Sequence, residues 1–200
     1  MMSGREKILD GALQVMRTRG LARATTKEIA RAAGLSEAAL YKHFQDKEDI
    51  FLCVLKERLP PVTLFNGGID EIAGTGDLAE NLRTIVREIA HFYEESLPIA
   101  MSLFSDSQLL AQHRRSVRAK HAGPEALIDR VAGYLRAEQA CGKIRSGAPI
   151  DGAAAALVGA CMHLSFLARF DQIGKRTERD STYHHALSEV VDAVLPGLAA

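Results

Sequence analysis

The residues best suited to chemistry cluster in one stretch, Thr25 to Phe51, which reads TTKEIARAAGLSEAALYKHFQDKEDIF. It sets Thr26 and Lys27 at the head of one short helical pattern, Ser36, Glu37, Ala38, Tyr41, Lys42 and His43 along a second, and Lys47 in the first turn of a third. Hydroxyl, ammonium and imidazole groups in this order suit a row of phosphate oxygens with base edges between them. Other chemistries find little support. His184 and His185 are adjacent and diverge on a helix, and His113 and His121 are eight apart, so neither pair is arranged to chelate a metal. Cys53, Cys141 and Cys161 are an odd count without close spacing, which argues against a disulfide framework and a Cys-rich zinc site and fits a reducing cytoplasm. A Gly-rich phosphate loop, HExxH, GxSxG and paired carboxylates in polar company are all missing, so neither an enzyme nor a cofactor is expected.

Helices must position these groups. Ile8, Leu9, Ala12, Leu13, Val15 and Met16 recur at helical spacing, predicting a first helix over 4–19 with Gly20 as its stop. Thr25 followed by Glu28 is a capping box, so a second helix starts at Thr26 and ends at Gly34. Ser36 caps a third that buries Leu40 and Phe44, while Asp46 with Asp49 opens a connector ended by Pro60-Pro61. Two short helices around a glycine turn form a helix-turn-helix, in which Gly34 supplies the positive φ and the small Ala30 and Ala33 allow a close crossing. Glu37, Ala38, Tyr41, Lys42 and His43 are then left on the outer face.

This segment resembles the tetracycline-repressor (TetR) family of bacterial regulators, on TT-x-x-IA, AAGLS, LY-x-HF and DKEDIF over about the first 58 residues. The resemblance implies a homodimer whose recognition helices enter successive major grooves of a pseudo-palindromic operator, and a small molecule in each body that shifts the connector. It also implies phosphate contacts for Thr26, Lys27, Tyr41, His43 and Lys47, with Lys42 reaching phosphate or a guanine edge. Where many members carry a basic residue followed by glycine, this chain has Glu37-Ala38. A carboxylate there must accept from a cytosine amino group or turn back to a neighbouring Arg or Lys, and Ala38 can meet a thymine methyl.

The rest of the chain reads as a larger helical body, residues 59–200, after a head of residues 1–58 with its helix-turn-helix at about 25–44. The expected fold is all-α with about nine helices. After a linker over 61–77 come an amphipathic helix from Leu78, another opened by Pro98, a basic stretch from Arg114 to Lys120, a helix through Leu127 to Leu135, an alanine-rich helix to about Phe170, a loop over 171–180 and a last helix ending before Pro196. Ala153 to Phe166 is too short to span a bilayer and reads as a buried helix, so no membrane is expected. The last two helices, about 150–170 and 181–195, carry small residues suited to a dimer interface. Phe65, Phe92, Met101, Phe104, Met162, His163 and Phe166 are candidates for a largely apolar effector pocket. The net charge of zero conceals a polarity, because residues 1–45 carry eight basic and four acidic side chains. A basic head on an acidic body fits contact with DNA through the head alone.

Overall fold

The computed structural model describes residues 2–20, 24–58, 68–118, 124–170 and 176–199. Phe65, the Pro60-Pro61 stop, Lys120 and residues 171–175 of the charged loop lie outside them. The described residues are all-α apart from one isolated bridge between Ile144 and Ala199. The chain divides into two compact units, Met1–Pro60 with Glu95–Lys120, and Pro61–Glu94 with His121–Ala200.

In the first unit, α1 (Gly4–Arg19) starts at a reciprocal capping box between Ser3 and Glu6 and stops at Gly20, whose φ is +73°. The box expected at Thr25 and Glu28 is formed and opens α2 (Thr26–Ala32). Gly34 turns the chain with φ +67°, and Ser36 caps α3 (Glu37–Leu40) by accepting from the Ala39 amide at 3.2 Å. A helix of four residues is far below the length that holds itself in water. Burial holds it instead: Leu40 and Phe44 sink among Ile8, Leu9, Met16, Ile29, Ile50 and Phe51. Asp46 caps α4 (Lys47–Glu57) by accepting from the Asp49 amide at 2.7 Å. Ile99, Leu103 and Leu109 complete this core. Two of them come from a 3-10 turn (Met101–Ser105) and from α7 (Ser107–Arg118), which takes in the basic stretch as far as Arg118.

The second unit holds α5 (Gly68–Ile72), most of α6 (Leu78–Ala100), α8 (Glu125–Ala140), α9 (Ile150–Phe170) and α10 (Arg176–Leu198). Leu82, Ile85, Val86 and Ile89 of α6 pack with Val131 and Leu135 of α8, Leu157 and Val158 of α9, and Leu187 and Val191 of α10. Three donors four residues apart on α9 meet three carbonyls four apart on α6. Cys161 Sγ donates to Val86 O at 3.5 Å, Ser165 Oγ to Ala90 O at 3.2 Å, and Arg169 Nη2 to Glu94 O at 2.8 Å. Burial pushes the Cys161 thiol up to about 12, so it remains a donor.

Three expectations change here. Pro98 does not open a helix but lies within α6, whose last turn continues past it. Proline at 98 has no N–H for the Glu94 carbonyl, and the Arg169 guanidinium supplies the missing donors. The last helix begins at Arg176 rather than after 180, and runs through Pro196 to Leu198. Arg145 accounts for its end, donating Nε to Gly197 O and its backbone N–H to Leu198 O. Finally, α9 is 21 residues, so by length and composition it could cross a membrane. Its row Ala154, Leu157, Val158, Cys161 and Ser165 is buried in the helical core.

Candidate nucleic-acid interface

The helix-turn-helix is braced from beneath by α1. An added Cβ on Gly11 would lie 2.8 Å from Ala33 N, so the α1 backbone approaches the end of α2 as closely as a residue without a side chain permits. The α1 helix is tied in turn to α4. Arg5 donates to both carboxylate oxygens of Glu57 at 2.8 Å and lies 5.5 Å from the centre of the Phe44 ring. Arg58 Nε donates to Asp10 at 2.6 Å. The bidentate pair holds the Glu57 carboxyl below the usual carboxylate range, chiefly through the hydrogen bond from Arg5.

On the outer face Lys27, Ser36, Glu37, Ala38, Tyr41, Lys42 and His43 are exposed, with Tyr41 at 54%, and Thr26 and Lys47 are half-buried. These residues come together at the turn and along α3, while Lys47 occupies the first turn of α4. Ser36 uses its oxygen as the cap and keeps its proton to donate. Lys27, Arg31 and Lys42 take part in none of the ion pairs formed among the described residues. Glu37 is engaged within the motif: Thr26 donates its hydroxyl proton to Glu37 Oε1 at 2.9 Å, and Tyr41 donates to Thr26 Oγ1 at 3.4 Å.

The compact unit that carries this face is more basic than residues 1–45 alone. Met1–Pro60 with Glu95–Lys120 holds fifteen basic and ten acidic residues, a net +5, and the other unit holds ten and fifteen, a net −5. The difference comes partly from α7, where Arg114, Arg115 and Arg118 are exposed.

The described effector candidates fall in both compact units. Met101 and Phe104 are 50% and 73% exposed on the 3-10 turn. Met162, His163 and Phe166 are exposed on α9, because its buried row runs through 157, 158, 161 and 165 and leaves the other side outward. Phe92 is half-buried against the second unit's core, its ring 5.4 Å from that of Tyr93. That unit also has an open groove of about 600 Å3 whose lining includes Arg136, Gln139, Ala140, Ile144 and Arg145 and none of the effector candidates. Among the described residues no group of three or more His, Cys, Asp or Glu side chains could hold a metal ion.

Sequence reasoning overlooked Gly11 and Arg5. Gly11 had a readable signal, since a glycine inside a helical pattern marks a close backbone approach. Arg5 had none, because its partner lies 52 positions away.

These features define an all-helical protein with a helix-turn-helix near its N-terminus. Residues 8–54 match the family described as bacterial regulatory proteins, tetR family. The nucleoid occlusion factor SlmA of Vibrio campbellii is 30% identical over 147 residues, covering 72% of this chain and 70% of that protein. The transcriptional regulator SrpR of Pseudomonas putida is 40% identical over 60 residues, which is 30% of this chain but only 28% of SrpR. In three dimensions a TetR-family regulator from Mesorhizobium loti superposes with a TM-score of 0.77 at 22% identity, covering 98% of this chain and 97% of the other. The chain belongs to the TetR family.

Proposed function

We propose that this protein is a DNA-binding transcriptional regulator of the cytoplasm, acting on double-stranded DNA as a homodimer and released from a pseudo-palindromic operator by a small-molecule effector. The observation that carries the reading is the outer face of the turn and α3. There Lys27, Tyr41, Lys42 and His43 stand exposed on a unit of net +5. The short α3 is the recognition helix, and Thr26 and Lys47 flank it as backbone contacts.

The dimer is assigned to α9 and α10. Ala155, Ala156 and Gly159 offer a close approach on the exposed side of α9, and Met162, Phe166 and Phe170 extend it as an apolar strip. This gives Met162 and Phe166 a role in the interface in place of the effector pocket. A second reading, a DNA-binding scaffold that engages a protein partner, is favoured by the exposed Arg114, Arg115 and Arg118.

The test is selection of duplexes from a random-sequence pool, followed by binding measured against salt. A two-fold-related consensus is expected, with affinity falling steeply as salt rises; failure to retain any duplex refutes the proposal. For the effector, compounds that raise the melting temperature are assayed for release of the selected duplex. Stabilising compounds that never alter DNA affinity eliminate effector release and favour the scaffold.

A further inference from the structure

The chain of hydrogen bonds from Tyr41 through Thr26 to Glu37 joins the two helices of the motif on the face assigned to DNA. Thr26 is the first residue of α2 and Glu37 the first of α3, and Tyr41 follows the last turn of α3. A hydroxyl has a single proton. That of Thr26 is committed to Glu37 at 2.9 Å, and the Thr26 oxygen in turn accepts from Tyr41. A phosphate oxygen can only accept a proton, so Thr26 can donate to a DNA backbone only when Glu37 lets it go. A carboxylate and a phosphodiester present the same kind of acceptor, an anionic oxygen sharing its charge with a twin. Glu37 is exposed, so its carboxylate is solvated once released and the exchange is reversible.

Building on the DNA-binding function proposed above, we propose that the Glu37 carboxylate is an internal stand-in for a backbone phosphate. It holds the Thr26 and Tyr41 hydroxyls in place in the DNA-free protein and must be displaced by the duplex. Glu37 is then a positioning residue that restrains affinity for every sequence alike. It does not read a base. Because it acts on a backbone contact, the restraint is the same in specific and non-specific complexes.

The experiment compares the wild-type dimer with Glu37→Ala. Its probes are a duplex selected by the wild type from a random pool, all single-base-pair variants of that duplex, and an unrelated duplex of equal length. Glu37→Ala is expected to bind all of them about tenfold more tightly, with a salt dependence steeper by about 0.9 per head for the anionic side chain removed from beside the phosphates. In a Thr26→Val background the gain should fall to less than half, because the proton to be released is gone. An effect confined to one base pair makes Glu37 a base reader and overturns the proposal. So does an unchanged affinity, or a full gain that persists without the Thr26 hydroxyl. A wild-type protein that selects no duplex overturns the functional reading itself.

Discussion

Gly11→Ala sets two rules against each other. In an open helix alanine is favoured over glycine by about 0.8–1.0 kcal/mol, so propensity alone calls the substitution stabilising. The structure reverses the sign. The new Cβ would lie 2.8 Å from Ala33 N and 3.2 Å from Ala32 C, and ordinary contact begins at 3.4 Å, so α1 and the end of α2 must separate by about 0.6 Å. Overpacking of this kind costs about 1–3 kcal/mol, which leaves a net loss of about 1 kcal/mol. Gly133 is the control, since it also lies inside a helix but is exposed with nothing within 4 Å of its added Cβ. Gly133→Ala should gain about 0.8–1.0 kcal/mol, so the two variants should differ by about 2 kcal/mol, or about 4–8 °C in Tm for a chain of this size. Urea unfolding at fixed protomer concentration measures both, and Gly11→Ala should also weaken DNA binding by moving α2 and with it α3. If Gly11→Ala proves as stable as the wild type or more so, the close approach of α1 to the turn is wrong.

Leu40 and Tyr41 are neighbours with opposite exposure. Leu40→Ala should cost about 2.7–5 kcal/mol in unfolding experiments, whereas Tyr41→Ala should cost under about 0.5 kcal/mol and instead weaken binding to a selected duplex; comparable stability losses would refute that division. Ser165 gives its proton to Ala90 O and accepts from Tyr183 at 2.8 Å, where burial pushes the phenol up and keeps it a donor. Ser165→Ala removes that partner from the Tyr183 hydroxyl at a cost of about 0.5–1.5 kcal/mol, most of which should vanish in a Tyr183→Phe background, and additive losses would count against the pairing. Because the Glu57 pKa is depressed in the folded state, its contribution is present above the unfolded value near 4.3 and is lost as pH falls through the folded one. Glu57→Gln should therefore flatten the acid limb of stability against pH, and an unchanged limb would remove the Arg5 pair from the acid response.

Local signals carried the N-terminal third of the molecule. The Thr25/Glu28 box, the Ser36 cap and the Gly34 turn involve residues within four positions of each other, so pattern and structure coincide there. The expected helix at Pro98 failed for the opposite reason. What lets α6 continue past the proline is Arg169, 75 positions from the carbonyl it fills. Glu37 combines both cases: its place on the outer face was legible from spacing, but its Thr26 partner belongs to the preceding helix. The exposure of Met162, His163 and Phe166 was also out of reach, because α9 is apolar on several sides and composition alone did not show which row the core takes.

The three contacts from α9 to α6 share one spacing on both helices, and that limits how the pair can move. A slip of one residue would turn Cys161, Ser165 and Arg169 away from Val86, Ala90 and Glu94 together. A slip of four residues, about 6 Å, would bring two of the three donors back opposite carbonyls of the same row. The interface therefore works as a detent with widely separated stops. The register between α6 and α9 is held or changed as a whole.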